Sequence, residues 1–136
     1  MYSNDPNQKI TRARDVMSKR VVFIDGMATA REAADLMRRE KVDVLVVKKR
    51  HADDAFGIVA VQDLIRGVVL PDRSPDSVNI YEIMTKPVIT VPADMDIRYV
   101  VRLMVRTGIR RAPVIENDEK VGMISFAHLI LEEAMF

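Results

Sequence analysis

The order of apolar and polar positions predicts the same succession of secondary structure twice along the chain. Residues 21–24 and 88–91 are short runs rich in β-formers. Each run precedes a segment whose apolar residues recur at the i, i+3, i+4, i+7 spacing of one helical face. These residues are Ala30, Ala33, Ala34 and Met37 in the first segment, and Ile97, Val100, Val101 and Met104 in the second. We therefore expect a strand followed by an amphipathic helix in each half.

Capping residues mark the ends of these helices. Thr29, with Glu32 three residues later, has the spacing of a capping box. Asp96 occupies the matching position before the second helix and is a favourable N-cap. Gly108 follows the second helix, where a glycine commonly ends a helix. These signals place the two helices at equivalent positions in the two halves.

The segments after each helix predict a β-hairpin and a second, shorter helix. Residues 42–47 are apolar except for Asp43, as expected for a strand that is buried on both faces and reached by a helical crossover. A polar hairpin loop at 48–55, a strand at 56–60 and a helix at 61–69 follow. The second half predicts strands at 112–115 and 121–125, a turn at Asn117 and Asp118, and a helix at 126–135.

An internal duplication accounts for this recurrence. When the sequence is shifted by 67 residues, eight of the 35 positions from 13 to 47 are identical to their counterparts, including Met17, Leu36 and Met37. After the longer first hairpin loop the shift becomes 65 residues. We predict a flexible arm at 1–11, a first repeat at 12–70, a linker containing Pro71 and Pro75 at 71–79, and a second repeat at 80–136.

The duplication also predicts how the repeats associate. A small sheet that is covered by helices on one side leaves its other, apolar face open to water. Two such faces can cover each other, so we expect an α+β fold (α/β mixed). Its two β-α-β-β-α repeats should pack sheet to sheet with pseudo-two-fold symmetry and leave clefts where the sheet edges diverge.

Composition narrows the function classes. The chain has 21 basic and 20 acidic residues, a net charge of +1, so nonspecific nucleic-acid binding is not expected. It has no cysteine, which excludes disulfides, thiolate metal sites and cysteine nucleophiles. No apolar run approaches the length of a membrane span. We therefore expect a cytoplasmic protein without a membrane partner.

Two ordered sets of short motifs resemble the CBS (cystathionine-β-synthase-type) domain family. Both sets begin with a Met-Ser or Met-Thr pair, continue through an apolar helix and end in a glycine followed by two apolar residues. The first set is Asp15-Val16-Met17-Ser18, Leu36-Met37, Gly57-Ile58-Val59 and Asp63-Leu64. The second set is Ile83-Met84-Thr85, then Gly108 to Val114, then Gly122-Met123-Ile124-Ser125. The resemblance covers nearly the whole chain.

The resemblance implies a stand-alone tandem pair of CBS domains that acts as a regulatory module and not as a catalyst. Members of this family bind AMP, ADP, ATP or S-adenosylmethionine in the cleft between the repeats, often as homodimers, and no cofactor is required. A regulated protein is implied, but its identity is unknown. Neither a general base paired with a nucleophile nor a metal site is evident in the sequence, since a loop with His51, Asp53 and Asp54 is too short and polar to favour one.

The family signature is a glycine, two apolar residues, Thr or Ser, two further residues, and Asp or Asn. Its hydroxyl contacts phosphate and its carboxylate binds the ribose hydroxyls. In the first repeat Asp63 matches the acid, but Ala60 stands where the hydroxyl belongs. In the second repeat Ser125 matches the hydroxyl, but His128 replaces the acid. Capping or backbone hydrogen bonding is the alternative role for Asp63 and Ser125, and a surface or dimer position is the alternative for His128.

Other positions favour the second repeat as the site for a phosphorylated ligand. By resemblance, Thr90, Val91 and Pro92 frame the base through their backbone, while Arg110 and Arg111 match positions near phosphate and Pro113 belongs to the same motif. In an extended segment the two arginines point to opposite faces, so we expect at most one to face the cleft and the other to be solvated or paired. In the first repeat Asp43 corresponds to Arg110 and would repel phosphate. Two functions remain open from sequence: an adenosine-ligand sensor, or a structural dimerisation and protein-interaction module whose ligand sites have degenerated.

Overall fold

The computed structural model describes residues 9–86, 88–132 and 134–136. The chain forms two compact units. Unit 2 spans Val22–Val88, and unit 1 contains the described residues up to Val21 together with those from Ile89 onward. Most of the arm expected at 1–11 lies outside the described residues. Each unit therefore combines the body of one repeat with the first segment of the other.

Six helices, one π-helical segment and six strands make up the described part of the chain. In chain order they are α1 (Ala13–Val16), β1 (Phe23–Ile24), α2 (Ala30–Glu40), β2 (Val44–Val47), β3 (Gly57–Ala60), α3 (Val61–Leu64), the π-helical segment (Ile65–Val69), α4 (Ile80–Ile83), β4 (Val91–Pro92), α5 (Ile97–Thr107), β5 (Arg111–Glu116), β6 (Glu119–Ser125) and α6 (Phe126–Leu131).

The two units have the same sheet topology, which confirms the α+β fold. In unit 2, β1 runs parallel to β2, and β2 pairs antiparallel with β3, so that Leu45 lies opposite Val59. In unit 1, β4 runs parallel to β5, with Val91 opposite Val114, and β5 pairs antiparallel with β6. Both three-stranded sheets are thus mixed, with β2 in the centre of one sheet and β5 in the centre of the other.

The predicted helix signals are confirmed. The Thr29 hydroxyl accepts a hydrogen bond from the Glu32 N–H at 3.1 Å, and the Glu32 carboxylate accepts one from the Thr29 N–H at 3.2 Å. Asp96 accepts a bond from the Arg98 N–H at 2.9 Å, and Gly108 ends α5 in the left-handed region with φ of 72°. Asn117 and Asp118 also have positive φ and form the predicted two-residue turn.

Several predicted boundaries were wrong. The first strand of each repeat is two residues long, and the last helix ends at Leu131 instead of 135. The helix predicted at 61–69 is α-helical only to Leu64 and then π-helical. The sequence interpretation also missed α1 and α4, because a four-residue helix is too short to show a helical period.

Each unit is completed by a segment that comes from the other repeat. Ser18, just after α1, exchanges two backbone hydrogen bonds of 2.8 Å with Met123 in β6. Thr85, just after α4, makes the equivalent pair with Ile58 in β3 at 2.8 and 3.0 Å. Ala13 lies fully buried in the unit 1 core, and Ile80 lies fully buried in the unit 2 core. These short helices are therefore parts of the core of their unit.

An ion pair ties the first hairpin loop to the segment after α4. The Lys86 ammonium contacts the carboxylate of Asp54, whose side chain is 8% exposed. Arg50 donates to the same carboxylate through its backbone N–H at 3.0 Å and its Nε at 3.4 Å. The Lys86 hydrogen bond, followed by that of the Arg50 N–H, holds the pKa of Asp54 well below its ordinary value.

Gly122→Ala is expected to destabilise the protein by about 1–3 kcal/mol because the added methyl overpacks the contact with the segment after α1. A Cβ at Gly122 would lie 2.6 Å from the Ser18 carbonyl oxygen and 2.5 Å from the Met17 sulfur. Gly26→Ala is the control, since its Cβ would meet only ordinary contacts at 3.5 and 3.7 Å. Urea denaturation compares the two, and equal stabilities would contradict the tight packing at Gly122.

Lys86→Met is expected to lower the melting temperature at neutral pH and to have less effect in acid. Because the folded-state pKa of Asp54 is depressed, its contribution is complete above the ordinary value of 3.8 and is lost as the pH falls below it. The difference in Tm between wild type and variant should therefore narrow from pH 5 towards pH 2.5. Lys48→Met, at an exposed position, serves as the control; a constant Lys86→Met difference across this range would contradict the ion pair's role.

Candidate functional site

The acid of the first repeat's signature lies in the first turn of α3. The Asp63 carboxylate oxygen Oδ2 accepts a hydrogen bond of 2.8 Å from the Ala60 N–H. Ala60 is the N-cap residue, and its methyl side chain has no oxygen to return a bond. Asp63 therefore supplies half of a capping box, and its second carboxylate oxygen remains available as an acceptor on a half-buried side chain.

The hydroxyl of the second repeat's signature performs the complementary half at the start of α6. Ser125 is the N-cap residue, and its Oγ accepts a 3.0 Å hydrogen bond from the His128 N–H. His128 stands where an acid would complete the box. Because the cap uses only an acceptor lone pair of Ser125, its O–H can still donate to an anion such as phosphate. The described contacts therefore leave a carboxylate acceptor at the first signature and a hydroxyl donor at the second.

Backbone hydrogen bonds hold both signatures against the central strand in the same way. The Phe126 N–H donates to the Arg110 carbonyl at 3.0 Å, and the Val61 N–H donates to the Asp43 carbonyl at 3.1 Å. Arg111, the first residue of β5, lies opposite Ser125 in the strand register. Unit 1 thus has arginines at the two strand positions next to Ser125, whereas unit 2 has Asp43 and Val44 at the equivalent positions.

The remaining predicted site residues lie on or next to the parallel strands β4 and β5 of the unit 1 sheet. Thr90 precedes β4 and is half-buried, whereas Pro92 is exposed. Val91 and Pro113 are fully buried, so neither presents an exposed side-chain surface. Of the two arginines, Arg110 is exposed just before β5 and Arg111 is half-buried within it. The fold brings Arg110, Arg111, Ser125 and His128 together at one end of the β5–β6 pair.

The two sites differ in what they can bind. The unit 1 site has a hydroxyl at Ser125 and arginines at the two adjacent strand positions, residue types suited to an anion. The unit 2 site offers the Asp63 carboxylate, which can accept hydrogen bonds from two hydroxyl groups. The positions equivalent to the two arginines are Asp43 and Val44, so this motif supplies no cation. Across 9–86, 88–132 and 134–136, no three His, Asp or Glu side chains cluster as metal ligands. Within the same ranges no helix has the length and apolarity needed to cross a bilayer.

Comparison with known proteins places these features in a family. The model of the CBS domain matches residues 13–70 and again 80–134. The uncharacterized protein MK0525 of Methanopyrus kandleri is 33% identical over 120 residues, which are 88% of this chain and 61% of that protein. The chain therefore spans about three fifths of the length of this relative.

Solved structures share the architecture. The hexameric CBS-CP12 protein from bloom-forming cyanobacteria is 36% identical, with a TM-score of 0.85 over 90% of this chain and 71% of that chain. The CBS domain pair of protein MJ0100, solved in complex with 5′-methylthioadenosine and S-adenosyl-L-methionine, has a TM-score of 0.77 over 93% of this chain and 98% of that chain. At 23% identity it shows the fold alone.

Two matches to one family model, each covering one repeat with its signature at the sheet–helix junction, agree with the duplicated sheets of the structure. This chain belongs to the CBS domain family and carries a tandem pair of its domains.

Proposed function

We propose that this protein is a non-catalytic regulatory module that binds an adenosine-containing ligand, of the class AMP, ADP, ATP or S-adenosylmethionine. The observation that carries the proposal is the paired signature: a half-buried carboxylate at Asp63 and a hydroxyl at Ser125, each at the junction of a strand and a helix. The CBS pair of MJ0100, which was solved with two adenosine compounds, supports this ligand class.

The two repeats are proposed to differ in ligand. Arg110 and Arg111 beside Ser125 favour a phosphorylated ligand in the second repeat, with Thr90, Val91 and Pro92 framing the base through their backbone and His128 at its edge. In the first repeat Asp63 would bind ribose hydroxyls, while Asp43 disfavours phosphate there. We place each ligand at the signature of its own repeat, at the junction of a strand and a helix. Binding would regulate a partner protein by favouring one arrangement of the repeats over another.

Calorimetry with AMP, adenosine and S-adenosylmethionine tests the ligand class and the assignment of sites. Ser125→Ala should weaken AMP binding, and Asp63→Ala should weaken adenosine binding, each by roughly ten- to a hundredfold, the loss typical of a hydrogen bond to a charged group. Ala60→Ser restores the missing hydroxyl of the first signature. It should stabilise the fold by about 0.5–2 kcal/mol through a completed cap.

The capping residues of α2 provide matched controls, because Asp63→Ala and Ser125→Ala also weaken a helix start. Thr29→Ala and Glu32→Ala remove the same kinds of capping bond from a helix without a signature. They should lower the Tm comparably and leave the Kd for ligand unchanged. Absence of heat and of any thermal shift at millimolar ligand would sink the adenosine proposal.

A specific surface favours homodimerisation as a second candidate function. Val61, Ile65 and Val69 recur every four residues along α3 and the π-helical segment, and all three are exposed, Ile65 at 49%. Ile130 is the exposed counterpart of Ile65 in α6. Burial of these side chains against a second copy would remove apolar surface from water. The hexameric state of the CBS-CP12 neighbour supports self-association.

Ile65→Asp is expected to raise the dissociation constant of the dimer at least tenfold, because it places a charge within the apolar surface. Sedimentation velocity across a concentration series measures this change. Gln62→Asp introduces the same charge at an exposed polar position of α3 and should leave the sedimentation behaviour of the dimer unchanged. A wild-type protein that stays monomeric at 100 µM, or equal effects of both variants, would contradict the dimer.

A further inference from the structure

The exposed face of α5 carries only positive charge, in contrast to its counterpart in the other repeat. The helices α2 and α5 each have 11 residues and occupy equivalent positions under the duplication. The α2 helix contains three arginines and three acidic residues, Glu32, Asp35 and Glu40. The α5 helix contains three arginines and no acidic residue. The duplication thus supplies a neutral reference for a helix that has become cationic.

Ion pairs neutralise two of the three arginines of α2. Arg31 pairs with Asp76 at 2.6 Å, and Arg38 pairs with Asp35 at 2.7 Å. Both pairs are on the exposed side of the helix, where they add little stability but leave little uncompensated charge. The outer face of α2 is therefore an ordinary solvated surface.

Substitutions between the repeats remove this compensation from α5. The counterparts of Glu32 and Asp35 are Tyr99 and Arg102. Arg98 pairs with Asp96 at 2.6 Å. The structure records no ion pair for Arg102 or Arg106 within the described residues. Arg102 instead lies 5.5 Å from the centre of the Tyr99 ring, a cation–π distance that leaves the charge uncompensated.

The arginines and two apolar side chains form one continuous surface. Arg98, Arg102 and Arg106 are separated by four residues each, so they share one face of the helix at intervals of about 6 Å. Tyr99 is 53% exposed and Val105 is 65% exposed, and helical geometry places them on the two borders of this arginine row. Like charges at i, i+4 destabilise a helix, and an anionic partner would remove that repulsion.

We propose that this face of α5, consisting of Tyr99, Arg102, Val105 and Arg106 beside Arg98, is a docking surface for an acidic, amphipathic polypeptide segment. The guanidinium fork pairs bidentately with carboxylates. Val105 and Tyr99 would bury apolar side chains of the segment, contacts that a phosphate backbone does not provide. The near-neutral charge of the chain also disfavours nucleic acid as the occupant.

The relatives support a polypeptide partner. The chain spans 61% of MK0525 and 71% of the cyanobacterial CBS-CP12 chain, so both relatives join further polypeptide to the region that matches this pair. The proposed surface uses none of the signature residues Asp63, Ser125 and His128. It is therefore independent of the ligand proposal.

Fluorescence anisotropy with a synthetic probe tests the surface on the full chain. The probe is a labelled 18-residue helical peptide built from a repeated sequence unit. Within each unit of the peptide, Glu stands at positions i and i+4 and Leu at position i+3. The Arg102→Ala/Arg106→Ala double variant should weaken binding at least tenfold, and Val105→Ser should weaken it about threefold. Arg38→Ala/Arg39→Ala removes the same charge from α2, at positions equivalent to Val105 and Arg106, and should leave binding unchanged.

Further measurements distinguish a peptide-docking surface from a nucleic-acid surface and from an interface between copies of the chain. A peptide with Gln in place of Glu should bind at least tenfold more weakly, and equal binding would overturn the proposal. Tighter binding of a 20-nucleotide oligouridine than of the acidic peptide would assign the face to nucleic acid and overturn it too. A change of sedimentation mass in the double variant would show an interface between copies instead. The Arg102→Ala/Arg106→Ala variant should give the same AMP calorimetry as the wild type. This holds whether or not the wild-type protein binds AMP, so the docking proposal and the ligand proposal can fail separately.

Discussion

The close approach of backbone to backbone at Gly122 and Gly57 is the constraint on which the rest of the structure depends. At both glycines a methionine sulfur occupies the space where a Cβ would project, Met17 in unit 1 and Met84 in unit 2. The residue after each methionine then forms paired backbone bonds with the adjacent strand. Since each methionine precedes the body of its own repeat but packs on the sheet of the other, neither sheet is completed by one repeat alone. Each unit therefore draws core residues from both repeats, and one 60-residue repeat, marginal by size, would lack part of its core.

The signature residues combine an observed capping role with the binding role that we propose for them. Asp63 uses one carboxylate oxygen to cap α3 and keeps the other, while Ser125 accepts a capping bond and keeps its donor. A cap fixes the side chain in one rotamer before any ligand arrives, which lowers the conformational entropy that binding would cost. Under the proposed function, the incomplete signatures would therefore still serve as binding sites. The first repeat keeps the signature acid, Asp63, and the second keeps the signature hydroxyl, Ser125. The capping hydrogen bond of each holds its side chain in one orientation.

Sequence patterns predicted most of the fold and less of the candidate site, for physical reasons that differ between elements. The α2 and α5 helices were predictable because 11 residues display a full apolar face and both ends carry capping residues such as Thr29 and Asp96. The α1 and α4 helices were not, because four residues make no period and their stability comes from the burial of Ala13 and Ile80 in a unit built mostly of the other repeat. The motif identified Asp63 and Ser125, but their partners depend on backbone geometry that only the three-dimensional arrangement supplies.

At two separate positions, an aspartate of the first repeat is replaced by an arginine in the second. Where the first repeat has Asp35 on its long helix, the second has Arg102; where the first has Asp43 before its central strand, the second has Arg110. The two replacements lie on different elements, one on the long helix and the other just before the central strand. Each places a cation where its counterpart has an acid. The net charge of the chain is only +1, yet the second repeat has arginines both next to Ser125 in the strand register and on α5. Anions of either kind, a phosphate or a carboxylate-bearing segment, would be drawn to that repeat by the same asymmetry.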